Sequence, residues 1–161
     1  MGSNKYNGAH KKIENIEQKI QSSDQKDIES KPEVLMQELR RSGEKYSEKD
    51  IIFIGRQQNG KIAWLEKGNK RVGLEHIKKH SKEFQDKGIK DYLIPELLKK
   101  AITHGKIIGY QKTKNKFPRE VYEVEFMGKI IKIAISISDN GFVVGANPIN
   151  REKEIIRKHE I

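Results

Sequence analysis

The chain has no cysteine. Disulfides, thiolate nucleophiles and cysteine-ligated zinc are therefore excluded, and the fold owes nothing to the redox state of its compartment. No run approaches the roughly 18–20 apolar residues that a membrane span needs. The opening Met1-Gly2-Ser3-Asn4 lacks the apolar core of a signal peptide and reads as the cut edge of a module from a longer protein. Apolar side chains are scarce throughout, at 34% of 161 residues. Part of the chain is thus expected to be exposed helix or loose segment outside the core.

Charge is abundant and unevenly placed. Residues 1–50 hold ten basic and ten acidic side chains, whereas residues 51–161 hold 23 basic and 13 acidic ones, which is the whole net charge of +10. This division predicts a charged helical arm or linker over 1–50, a basic domain over 51–149 and a charged tail over 150–161. A polyanion is the natural partner of such a domain; a surplus that serves only solubility is the alternative.

In the arm, Ile13, Ile16 and Ile20 follow helical spacing. Ser30-Lys31-Pro32-Glu33 then reads as a helix start, with Ser30 as the cap, followed by Val34, Leu35 and Leu39 on one side. His10 reads as a surface residue. Ile51-Ile52-Phe53-Ile54 and Lys61-Ile62-Ala63-Trp64-Leu65 flank Asn59-Gly60, the pattern of a β-hairpin. A helix is expected over 73–84 and another from Pro95 to Gly105, with His104 as a favourable charge at its C-terminal end. Four strands follow, over 106–111, 119–126, 129–138 and 142–146. In the third, Ile131, Ile133, Ile135 and Ile137 alternate with Lys132, Ala134, Ser136 and Ser138. The predicted fold class is α+β: N-terminal helices and a β-hairpin, then a four-stranded antiparallel meander with one face on the helices and the other open. The tail reads as a marginal helix.

Within Gly73-Leu74-Glu75-His76-Ile77-Lys78-Lys79-His80, two histidines four apart project from one side of a helix. Imidazoles beside lysines suit a phosphodiester and its protons. Zinc is the other use of such a pair, but the metalloprotease pattern needs glutamate directly after the first histidine. Here Ile77 holds that place and two lysines would repel a cation. No metal or cofactor is expected.

These stretches also resemble a known family. Gly73-Leu74-Glu75-His76-Ile77 with His80 and Phe84, Ile94-Pro95-Glu96, and Gly105-Lys106-Ile107-Ile108-Gly109-Tyr110-Gln111 are similar to the bacterial polymorphic toxin type 50 domain. So are Arg119 with Tyr122-Glu123-Val124, Lys132-Ile133-Ala134-Ile135-Ser136, and Asn140-Gly141-Phe142-Val143-Val144-Gly145-Ala146-Asn147-Pro148. The likeness runs in order over about residues 51–149. Glu120 departs from it, standing where proline is expected after the arginine. The resemblance implies a ribonuclease of the barnase–EndoU–colicin–RelE-like fold, without a metal, carried at the end of a large secreted protein. Its partners would be RNA, with tRNA one candidate, and an immunity protein expected to be acidic. It would act in the cytoplasm of a target cell. Two other readings stay open: a non-catalytic nucleic-acid-binding module, and a phage or intracellular nuclease with no immunity partner.

Metal-free RNA cleavage needs a base for the 2′-OH, an acid for the 5′-oxygen and positive charge at the phosphorane. Histidine serves as either base or acid because its ordinary pKa is about 6.5, so the candidate catalytic residues are His76 and His80, with Arg119 and Ser136. Candidates for holding the RNA are Lys79, Tyr110, Gln111, Lys114, Tyr122 and Asn147. Each has a plainer reading. His76 can be a buried structural histidine, and His80 a phosphate contact or surface residue. Arg119 can pair with Glu120 or Glu123, Ser136 can simply face outward, the tyrosines can be core, and Asn147 can be a turn residue.

Overall fold

Asn59-Gly60 does set the first turn. In the computed structural model, which describes Gln25, residues 27–114 and residues 118–158, Gly60 has φ +89, a conformation glycine adopts without steric cost. Gln57 N–H donates to Lys61 O at 2.8 Å. This joins β1 (Ile51–Arg56) to β2 (Ile62–Glu66) as an antiparallel pair. The expected helix over Ile13–Ile20, His10, and Asn115-Lys116-Phe117 between the first two strands expected of the sheet lie outside the described residues.

Helix α1 (Pro32–Ser42) precedes the hairpin. Its N-cap is Lys31 with no side-chain cap, in place of the expected Ser30, and Pro32 opens the first turn. Leu35 and Leu39 are buried against Ile54 and Trp64, and Glu38 pairs with Arg56 at 2.7 Å. The division at residue 50 expected from the charge balance falls inside this packed cluster.

The stretch 73–84 is helical but not continuous. It runs as α2 (Leu74–Ile77), a 3₁₀ turn (Lys78–His80) and α3 (Ser81–Asp86). Ser81 Oγ donates to Lys78 O at 2.7 Å, a local bond that competes with the regular ladder. Ile77 and Phe84 still reach the core. Three residues per turn replace 3.6 in the middle, so the regular helical spacing expected between the two histidines is interrupted. Helix α4 (Ile94–His104) then buries Leu97, Leu98, Ala101 and Ile102.

The sheet has five strands where four were expected. Strands β3 (Lys106–Gln111), β4 (Glu120–Phe126), β5 (Lys129–Ile137), β6 (Val143–Pro148) and β7 (Ile155–Arg157) are ordered β6-β5-β4-β3-β7, and every pair is antiparallel. One face carries Tyr122, Val124, Phe126, Ile131, Ile133 and Ile135 into the core with the helices. The tail expected as a marginal helix is a 3₁₀ turn (Glu152–Glu154) followed by β7. Ile155 is buried there with Ile149, Ile108, Val121 and Ala134, so the second sheet face is covered at one end and open at the other. Glu152 holds this segment to the sheet, accepting from Lys132 at 2.9 Å and from Arg157. These two cations keep its carboxyl below the ordinary carboxylate value.

Two backbone bonds join the start of β6 to other elements. Trp64 N–H donates to Gly141 O and Gly73 N–H donates to Val144 O, both at 2.9 Å. The first links the hairpin to the β6 edge, where the Trp64 and Phe142 rings meet edge to face at 6.0 Å. The second fixes the start of α2. The protein is thus an α+β fold. Among the described residues no helix is long and apolar enough to cross a membrane.

Because Leu39 is almost fully buried (2% exposed) against the chain's single tryptophan, Leu39→Ala should lower global stability by about 2–5 kcal/mol. A urea titration followed by Trp64 fluorescence should show one transition at a lower midpoint. An unchanged midpoint would mean that α1 is not part of the cooperative unit.

Candidate functional site

Antiparallel register puts one row of residues across the open end of the sheet. Gly145 on β6 lies opposite Ser136 on β5. One step beyond the pair Glu120–Ile135, Ser136 stands beside Arg119, at the entry to β4. Gln111 on β3 is tied to the same place, its N–H donating to Arg119 O at 2.8 Å. Alternation along a strand sends these side chains to the face opposite the core, together with Asn147, which faces Ala134.

Arg119 extends from β4 across β5 to β6. Its Nη1 donates to Asn147 Oδ1 at 2.8 Å, and the guanidinium lies directly over Gly145. Asn147 is buried (8% exposed), the one buried polar or charged side chain among the described residues, and its Nδ2 donates to Pro148 O at 3.2 Å. Both ends of the amide are thereby fixed, with the carbonyl towards the arginine. Asn147 is thus neither a turn residue nor free for substrate; it aims Arg119.

Among the described residues no carboxylate pairs with Arg119. The expected alternative, a surface pair with Glu120 or Glu123, is not made. Burial alone pushes its pKa below the ordinary value, and a guanidinium remains charged through such a shift. The outcome is a half-buried cation held by a neutral amide. Such an arrangement suits an anion.

His76 completes the cluster. Since Gly73 fixes α2 to the β6 edge, the His76 ring leans over that edge, and a Cβ at Gly145 would come within 3.1 Å of its Cδ2. On the other side of the ring, Nδ1 lies 3.0 Å from Lys70 O. A carbonyl only accepts, so Nδ1 carries the proton, and in the neutral ring Nε2 bears the lone pair. Nε2, bonded to Cδ2, is on the ring edge nearer Arg119. The imidazole and the half-buried guanidinium thus both stand over Gly145.

The remaining candidates are less central. His80 is joined to its own helix, Nδ1 to Glu83 Oε1 at 2.8 Å, with no bond to Arg119, Ser136 or Asn147. Ser136 Oγ donates to Gly145 O at 3.2 Å, so its proton is already committed. Tyr122 is core, and burial followed by the Glu120 charge raises its pKa. Tyr110 and Gln111 are half-buried at the β3 end of the row, while Lys79 and Lys114 are exposed. His104 sits on the last turn of α4, away from the row.

Gly145 was not a sequence candidate. The available signal was a glycine inside an otherwise apolar strand, which marks a bulge or a close approach by another group. Among the described residues no cluster of three or more His, Cys, Asp or Glu could hold a metal ion. Set against known proteins, the chain matches no family model, and no curated protein matches it at a significant level.

An anion that joins Arg119 stabilises the folded state by mass action. Inorganic phosphate should therefore raise the melting temperature of the wild type. Arg119→Ala should abolish the rise, and Gly145→Ala should weaken it by displacing the guanidinium while leaving the far-ultraviolet dichroism intact. An equal rise in all three proteins would reject the site.

Proposed function

We propose that the protein is a metal-independent endoribonuclease of the barnase–EndoU–colicin–RelE-like fold, which cuts RNA by attack of the 2′-OH on the adjacent phosphate. One observation carries this reading: Arg119, a half-buried cation, and the His76 ring meet over Gly145, with His76 Nδ1 turned to Lys70 O. The row can take a phosphate oxygen at Arg119 while His76 Nε2 accepts the 2′-OH proton. General-base help of this kind contributes roughly 10²–10⁴-fold. Donors aimed at the phosphorane contribute about 3 kcal/mol each by analogy with an oxyanion donor. The products are a 2′,3′-cyclic phosphate and a 5′-hydroxyl.

His80 is the second candidate for proton transfer, its ring oriented by Glu83. With no bond to the row, it is the weaker of the two, and Lys78 and Lys79 beside it supply positive charge on the same turn. Asn147 positions Arg119. The basic surplus of residues 51–161 supplies the long-range attraction for a polyanion.

The biological setting follows from the resemblance of the motifs. In this reading the chain is the effector module of a larger secreted toxin and acts on RNA, tRNA among the candidates, in the cytoplasm of a competing cell. The producer is protected by an acidic immunity protein that covers basic surface.

Total RNA incubated with the wild type in excess EDTA should yield fragments ending in 2′,3′-cyclic phosphate. His76→Ala should cut at least about 100-fold more slowly; His80→Ala should lose less than His76→Ala. Absence of fragments, or equal cutting by wild type and His76→Ala, would reject the proposal. Salt-sensitive RNA binding without cleavage would instead mark a non-catalytic binding module.

A further inference from the structure

The row also has a direction. His76 approaches from the outer edge of β6, and the guanidinium it accompanies lies over Gly145 of that same edge strand. From there the face continues one way only, across Ser136 on β5 and the stem of Arg119 to Gln111 on β3. The 149–155 segment covers the adjoining part of the face over Ala134 and Val121, leaving this row as the open track.

Displacement at phosphorus imposes its own geometry. The 2′-oxygen forms a bond to phosphorus as the bond to the 5′-oxygen breaks, and the two oxygens lie in line on opposite sides. The proton of the 2′-OH passes to His76 Nε2. The departing 5′-oxygen takes a proton from solvent, and His76 later returns its own, so nothing else is consumed. With the base at the β6 edge, the 2′-oxygen and its nucleotide must be on the His76 side. The leaving nucleotide must lie on the far side of the guanidinium, towards β3.

From this we infer a polarity for the bound RNA, resting on the ribonuclease reading above. The nucleotide upstream of the cut lies by α2 and the preceding Lys70–Arg71 segment. The downstream one lies over Ser136 and Gln111, with its next phosphate at Lys112. Both flanks are suited to such contacts. Lys70 and Arg71 are exposed and directly precede α2, with Lys70 O bonded to the His76 ring. Lys112 is exposed at the other end, its backbone held by Glu154 O at 2.6 Å. Gln111 offers both a donor and an acceptor in the track, which makes it the residue to read the downstream base.

The test compares short RNAs with one cleavable phosphodiester, extended by a nucleotide either downstream or upstream of the cut. In the wild type either extension should raise kcat/KM. Lys112→Ala should erase the gain from the downstream extension, about tenfold for a charge-assisted phosphate contact, while keeping the upstream gain. The double variant Lys70→Ala with Arg71→Ala should do the reverse. Gln111→Ala should flatten any preference for the downstream base without changing the preference upstream. Exchange of the two patterns would mean that the RNA runs the other way. Loss of neither gain would mean that these residues do not flank the cut; either outcome overturns the polarity while leaving the nuclease in place. If the wild type cuts none of the RNAs, the nuclease reading itself fails and the polarity falls with it.

Discussion

Two backbone donors close the outer edge of β6, and much of the molecule depends on them. Trp64 N–H on Gly141 O brings in the hairpin, and through Trp64 the buried side of α1. Gly73 N–H on Val144 O brings in α2. The second contact is what carries His76 over the strand. Without it, Leu74 and Ile77 could still bury against the core, but the height of the imidazole above Gly145 would rest on the bonds to Lys67 O and Lys70 O alone. A backbone bond only two residues before the helix reaches Glu75 leaves little freedom in that placement.

The site is an arrangement of small allowances. Gly145 leaves out a side chain where the guanidinium must lie. Asn147 supplies an amide where a carboxylate would have cancelled the positive charge. Lys70 offers a carbonyl that decides which nitrogen of His76 keeps the proton. None of these three residues does chemistry at a reacting atom, yet each fixes the state of one that can. An aspartate at position 147 would keep the bond to Arg119 but would turn a carboxylate oxygen to Pro148 O and make the arginine half of a neutral pair.

Local signals in the sequence were enough for the hairpin at Asn59-Gly60, the alternating isoleucines of β5 and the bounds of α4. They rest on periodicity and on turn chemistry, which act over a few residues. The break at Lys78–His80 was not legible, because apolar spacing from Ile77 to Phe84 fits an unbroken helix equally well. Nor was β7, since Ile155-Ile156 in a charged background carries too little pattern to choose strand over helix. At the site, residue types identified His76 and Arg119, but the partner of each depends on pairing between strands distant in sequence. Tyr122 shows the same limit in reverse, for an aromatic in a strand faces core or solvent according to register.

Sheet edges present rows of unpaired N–H and C=O groups that can recruit a strand from another molecule. Here Gly73 takes Val144 O on the β6 side, Trp64 takes Gly141 O just before that strand, and β7 takes the β3 side. The outermost strand is then only three residues long, Ile155–Arg157, and it is followed by Lys158. So short and charged a border is a poor template for further strand addition. Beyond covering Ile108 and Val121, the last described strand therefore acts as a guard against aggregation for a sheet rich in isoleucine and valine.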